Sequence, residues 1–183
     1  MRKVYIIFLN TSKQPKSDKN IKISEMNKEF MKLEDARSIA NNFVSEIKEF
    51  CEKVEIAGSI RRQKLEVNDI DIVLIPKLKE HLIQKIRNIS KVEVQGKKLI
   101  RIEYSGIQID IYFATKETWG ILLLVRTGSK EHNIKLCQHA IGKGMKLSSE
   151  KGLIKGNEVI ARKTEEEIFK ALGMNYIKPE DRK

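Results

Sequence analysis

From Ala36 onward apolar residues return at three- and four-residue spacing, and Ile39, Ala40, Phe43, Val44, Ile47, Phe50 and Cys51 fall on one stripe of a helix that faces a core. Val54 to Ala57 then reads as a short strand closed by Gly58-Ser59, and after a charged stretch Asp69 to Ile75 reads as a buried strand stopped by Pro76. Residues 78 to 89 have a helical pattern, with Leu78, Leu82, Ile83, Ile86 and Ile89 on one side. Val92 to Val94, Leu99 to Tyr104 and Ile107 to Phe113 follow as strands, with turns at Gly96 and at Ser105-Gly106. Trp119 to Val125 is a continuous apolar run, expected to be a buried helix, and a second helix runs from Ser129 to Ile141, ended by Gly142 and Gly144. The tail offers a hairpin around Lys155-Gly156-Asn157 and a helix from Thr164 to Leu172, whose Glu165, Glu166 and Glu167 suit the positive end of the helix dipole. This order of elements is that of an α+β chain. Before it, Val4 to Leu9 is an apolar stretch far shorter than a membrane span, expected to be an edge strand or loose arm, and residues 10 to 33 are a polar leader.

Length and charge narrow the picture. A chain of 183 residues can bury about 70% of its unfolded surface, enough for one core and a small second lobe. The formal charge of +11 draws the molecule toward polyanions, nucleic acid first and anionic membrane second. Richness in Lys, Ile and Asn also follows from an AT-biased genome, so charge alone decides nothing. Cys51 and Cys137, without a signal peptide, point to reduced thiols in the cytoplasm and to no disulfide. Neither lies at a zinc-ligand spacing from His81, His132 or His139. Trp119 opens an apolar helix and reads as core.

The candidate chemistry lies in the carboxylates. Asp69 and Asp71 stand two apart, so on a strand they leave the same face, and such neighbours repel unless a cation lies between them. Asp110 holds a similar place in a later strand; if the strands are adjacent, three carboxylates converge, a donor set for Mg²⁺ or Mn²⁺. An Asp at a strand start commonly serves only as a turn or cap residue. The segment upstream changes that balance, because Gly58-Ser59-Ile60-Arg61-Arg62 supplies close backbone approach, a hydroxyl and two guanidinium forks suited to a triphosphate.

In this order the residues resemble the nucleotidyltransferase superfamily, and more closely the family X DNA polymerases, similar to DNA polymerase beta and its short prokaryotic and viral members. The likeness runs from about residue 34 to 183 and includes Thr127-Gly128-Ser129 with Asn133, and the closing Glu167-Ile168-Phe169, Leu172-Gly173, Tyr176, Pro179 and Arg182. It implies a palm with a mixed β-sheet flanked by helices over residues 34–115, and a small α+β C-terminal subdomain over 116–183 that shapes the nucleotide pocket. It implies that Asp69, Asp71 and Asp110 hold two Mg²⁺ or Mn²⁺ ions, with Asp110 near the primer 3′-hydroxyl. Gly58, Ser59 and Arg62 would take the β- and γ-phosphates, Thr127-Gly128 would form the floor beneath the sugar, and Asn133 would meet the base edge.

Three departures stand out. Val125-Arg126 replaces the aromatic pair that the family has before Thr-Gly, leaving the choice of sugar open. Cys137 stands where many relatives have an arginine at the template strand, and Gln108 replaces an arginine near the third carboxylate. The leader, residues 1–33, is too short for a lyase domain, so removal of 5′-deoxyribose phosphate is not expected. The resemblance implies a monomeric polymerase that takes gapped or primer-template DNA and dNTP in repair, with no membrane partner. A transferase acting on RNA or a protein, and a basic nucleic-acid-binding module whose catalysis has lapsed, remain as alternatives.

Overall fold

The computed structural model describes residues 30–183, so the Val4–Leu9 stretch and most of the leader lie outside the described residues. What the leader segment contributes begins at Met31. Met31–Lys32 (β1) pairs antiparallel with Glu66–Val67 (β3), and the first helix opens at Leu33, earlier than the periodicity from Ala36 suggested. Leu33–Ile47 (α1) runs through a short 3₁₀ turn, Lys48–Phe50, into Cys51–Ile56 (β2).

The centre is a five-stranded mixed sheet. Its strands are β2, Ile70–Pro76 (β4), Ile107–Phe113 (β7), Leu99–Tyr104 (β6) and Lys91–Gln95 (β5), in that spatial order, and only β4 and β7 run parallel. Lys79–Ile89 (α3) connects β4 to β5; Leu78 precedes it in extended backbone and is exposed, off the apolar side where periodicity had placed it. The helical turn between β2 and β3 is Gly58–Arg61 (α2), where a loop was expected.

Strand alternation sorts the two faces. Ile70, Ile72 and Leu74 of β4, with Ile107, Ile109 and Ile111 of β7, point to one side and pack against Ala40, Phe43 and Ile47 of α1 and Leu82 and Ile86 of α3. Val73, Ile75 and Tyr112 point to the other, where they meet Trp119 and Leu123 of a second-face helix, Trp119–Thr127 (α4). This helix is apolar all round because it is shared: Ile121 and Leu124 turn away from the sheet into a separate cluster with Leu136, Leu153, Ile168 and Phe169. That cluster is built by Lys130–Gly142 (α5), a three-stranded antiparallel sheet of Lys146–Ser148 (β8), Gly152–Lys155 (β9) and Glu158–Ala161 (β10), and Glu165–Ala171 (α6). The β9–β10 hairpin was expected and β8 was not: its Lys-Leu-Ser sequence carries almost no strand signal.

Gly120 makes the packing of α4 possible. Its amide donates to the Lys163 carbonyl at 3.0 Å, and a Cβ there would lie 2.4 Å from the Thr164 backbone. Trp119 is core as expected, and both cysteines are free, with Cys51 buried and its thiol pushed up to about 11 by burial. Among the described residues no helix is long and apolar enough to cross a membrane.

Candidate active site

Helix α4 covers only part of the second face. Where its cover ends, the residues of β4 and β7 that continue the same alternation are Asp71 and Asp110, which stand opposite each other in the parallel register. Asp69 lies immediately before β4 and couples to Asp71 through charge. Burial pushes the Asp71 carboxyl up to about 7, Asp69 and Asp110 push in the same direction, and Arg126 and Arg62 oppose it. The three carboxylates therefore form one electrostatic group, as expected. They do not form a closed cage: among the described residues no three His, Cys, Asp or Glu side chains stand ready to hold a metal ion. The oxygens of Asp110 are engaged by Arg101, which donates from Nε to Oδ1 at 2.7 Å and from Nη2 to Oδ2 at 2.8 Å. An all-oxygen donor set whose Asp71 carboxyl is pushed up by burial and by the neighbouring carboxylates fits a hard divalent cation.

This frustration has a measurable cost. Between the ordinary 3.8 of Asp71 and about 7, the unfolded chain has released this proton while the folded chain has kept it, so stability falls as pH rises through that window. Asp71→Asn should therefore be more stable than the wild type at pH 8 in chelator, by about 2 kcal/mol or about 4–8 °C in Tm, and equal to it near pH 3. Calorimetric melts at the two pH values check this, and a variant less stable at pH 8 would show that Asp71 is not strained.

Beside the carboxylates lies the turn α2. Gly58 has φ +57° and packs directly on Asp71; a Cβ would fall 2.1 Å from Asp71 Oδ2, so no side chain fits between the turn and the carboxylate. The two arginines that follow have different partners. Arg62 Nη1 donates to the carbonyl of Thr127, the last residue of α4, which links the turn to Thr127-Gly128. Gly128 in turn sits against Arg62 and the side-chain amide of Asn133, and that amide donates to the Val125 carbonyl at 2.8 Å. Ser59 Oγ, Arg62 Nε, Asn133 Oδ1 and Arg126 Nε are all buried without a protein partner. Orphaned polar atoms cost free energy unless a ligand or water satisfies them, and three of these four, on Ser59, Arg62 and Asn133, belong to residues singled out as a nucleotide cradle. Ser59, Arg62, Thr127, Gly128 and Asn133 are thus brought together, with Gly58 joining them to the carboxylates.

Arg61 goes elsewhere. Its Nη1 donates to Thr127 Oγ1 at 2.7 Å and to Glu165 Oε1 at 2.9 Å, and its Nη2 to Glu165 Oε2 at 2.8 Å. Glu165 also accepts from Arg182 Nη1 at 2.7 Å and from the Tyr176 hydroxyl at 3.1 Å. Glu165 lies in the first turn of α6, where its charge suits the dipole, and it is also buried at the centre of a network that ties α2 to the C-terminal segment. The N-terminal amides of α6 are served by Thr164, whose hydroxyl accepts from Glu167 N at 3.1 Å. Ser129 caps α5 in the same manner, accepting from His132 N. Arg126, in place of an aromatic residue, stacks on the ring of Tyr112 at 3.9 Å. His132 is buried against Phe169, with its imidazole pushed down to about 4 by burial and by the Arg182 charge.

Comparison with known proteins agrees with this geometry. A family model described as DNA polymerase beta thumb matches residues 122–183, the part built around α4 to α6. The chain is 31% identical over 140 residues to the DNA polymerase/3'-5' exonuclease PolX of Bacillus subtilis (strain 168), covering 71% of this chain but 24% of that protein. It is 30% identical over 148 residues to the repair DNA polymerase X of African swine fever virus (strain Badajoz 1971 Vero-adapted), covering 74% of this chain and 84% of the viral protein. The protein from the Warthog/Namibia/Wart80/1980 isolate matches over the same shares. The two viral proteins are matched over 84% of their length, and the chain belongs to the family X DNA polymerases.

Proposed function

We propose that the chain is a DNA-directed DNA polymerase that adds a deoxynucleoside monophosphate to a primer 3′-hydroxyl, filling short gaps during repair. The observation that carries this reading is the in-register placement of Asp71 and Asp110 side by side on one face of the sheet, beside a cradle of unsatisfied polar atoms. Residues 34–115 serve as the palm and 116–183 as the subdomain that closes the nucleotide pocket. Asp69, Asp71 and Asp110 would hold two Mg²⁺ ions, or Mn²⁺, whose charge would offset the repulsion and burial that push the Asp71 carboxyl up. Bound divalent cations supply charge stabilisation for the attacking and leaving oxygens of an in-line displacement.

The remaining chemistry belongs to the side chains. Asp110, nearest the expected primer end, accepts the proton that the 3′-hydroxyl must lose. Ser59 and Arg62 bind the β- and γ-phosphates, and the short α2 turn aims its hydroxyl and guanidinium at the charge that builds on pyrophosphate. Thr127-Gly128 lies under the sugar, and Asn133 offers its unpartnered Oδ1 to the base edge. Template and primer are held by charge spread over a chain of +11, with contacts to phosphate rather than to base edges.

The test is extension of a labelled primer across a one-nucleotide gap, with each deoxynucleotide supplied singly and with Mg²⁺, Mn²⁺ or chelator. Incorporation of the complementary nucleotide alone, abolished by chelator, is the expected result. Incorporation regardless of template would replace this reading with a transferase of another acceptor. Tight, salt-sensitive DNA binding without incorporation would replace it with a lapsed binding module.

A further inference from the structure

Among the described residues, the side-chain hydrogen bonds on the Asp110 carboxylate come from its own hairpin. The two-residue turn Ser105-Gly106, with φ of 50° and 79°, fixes the β6–β7 register so that Arg101 faces Asp110 directly. Arg101 then takes both carboxylate oxygens at 2.7 and 2.8 Å. The Tyr112 hydroxyl reaches Oδ2 at 3.3 Å and Gln108 Nε2 reaches Oδ1 at 3.4 Å, both weaker contacts. The arginines on the Asp71 side have other engagements, Arg62 with the Thr127 carbonyl and Arg126 with the Tyr112 ring. Asp110 is therefore gripped at both oxygens by the guanidinium of Arg101.

We propose that Arg101 is the positioning residue of this site: it presets the orientation of Asp110 and competes with the divalent cation for its oxygens, so that loading the cation must displace part of the ion pair. The inference rests on the reading of Asp110 as a metal ligand. A bidentate guanidinium is the strongest clamp a protein offers a carboxylate, and it fixes the plane as well as the place of the oxygens. The Arg101 side chain is 36% exposed against 7% for Asp110, so the arginine has solvent to turn toward and the carboxylate has none. Its charge also lies close enough to oppose an arriving cation. Removing Arg101 therefore acts in opposite directions on two measurements. The carboxylate group loses its resident cation and binds metal more tightly, while Asp110 loses its preset orientation and turnover falls.

The test uses the full chain. Binding of Mn²⁺ alone, without DNA or nucleotide, is followed by calorimetry and by electron paramagnetic resonance. Extension is followed separately to divide kcat from the KM for nucleotide. Arg101→Gln should bind Mn²⁺ about fivefold to tenfold more tightly and should extend about 30-fold more slowly at saturating nucleotide, with KM changed less than about threefold. Arg101→Lys keeps a point charge without the fork; it should restore much of the Mn²⁺ affinity of the wild type and little of its turnover, and it decides the matter if Arg101→Gln does not fold. Unchanged or weaker Mn²⁺ binding in Arg101→Gln, or unchanged turnover in either variant, would overturn the proposal even though the wild type extends primers. A wild type that neither binds Mn²⁺ nor extends would overturn the reading of the carboxylates itself.

Discussion

Replacing Asp110 with alanine is expected to reduce templated primer extension by at least about 10³-fold, because loss of a metal-holding carboxylate removes several kcal/mol of transition-state charge stabilisation and each factor of ten is about 1.4 kcal/mol. Affinity for DNA should stay within about twofold, or rise slightly, since the substitution deletes a negative charge from a surface that binds phosphate. The fold should survive. Asp110 leaves Arg101 without its partner, yet that side chain is 36% exposed and can turn to water. Extension measured at saturating nucleotide, together with a DNA-binding titration, checks both halves. Substantial extension by Asp110→Ala would remove this carboxylate from the chemistry and with it the proposed mechanism. Loss of DNA binding in parallel with activity would instead assign Asp110 to the architecture.

The elements that position these groups were largely legible in the residues, and the interactions that hold them were legible only in part. Alternation in Asp69 to Pro76 and in Ile107 to Phe113 puts Asp71 and Asp110 on the face opposite to Ile70, Ile72, Ile109 and Ile111. The continuous apolar run of α4 was recognisable as buried, but not the cause, which is that two cores share one helix. Arg101 was overlooked although its signal was present: it and Asp110 are equidistant from the Ser105-Gly106 turn, and a two-residue turn sets that pairing. The burial of Glu165 was not legible for a different reason. A carboxylate in the first turn of a helix satisfies the dipole wherever it points, so local sequence contains nothing that distinguishes a solvated glutamate from one drawn inward by arginines 104 residues before it and 17 after it. Ser59 and Asn133 could be assigned to a polar cradle, but only the packing around Thr127-Gly128 shows that their oxygens are buried and unsatisfied.

The network around Glu165 leads to the largest expected effect on stability. Glu165→Ala leaves the fully buried Arg182 side chain, at 0% exposure, and the mostly buried Arg61 without their shared counter-ion. Breaking one partner out of a buried pair costs about 3–5 kcal/mol, which for a chain of this size lowers Tm by on the order of 10 °C. Burial alone would raise the Glu165 pKa, but hydrogen bonds and charge from Arg61 and Arg182 outweigh it and hold the carboxyl below its ordinary range. Its stabilising contribution is thus present above the pKa of the unfolded chain and is lost as pH falls through the lowered folded value. The gap between wild type and Glu165→Ala should be wide at pH 7 and narrow in acid. Melts across that range check the sign, and a variant within about 2 °C of the wild type at neutral pH would show that the network is stabilised by something other than its charges. The functional consequence follows from Arg61. Released from Glu165, it no longer ties α2 to Thr127 and to the C-terminal segment, so the turn that presents Ser59 and Arg62 loses its support from one side. At a temperature where the variant is folded, weaker nucleotide binding should therefore outweigh any change in the rate of the bound complex, because the damage falls on the phosphate cradle and leaves the carboxylates in place.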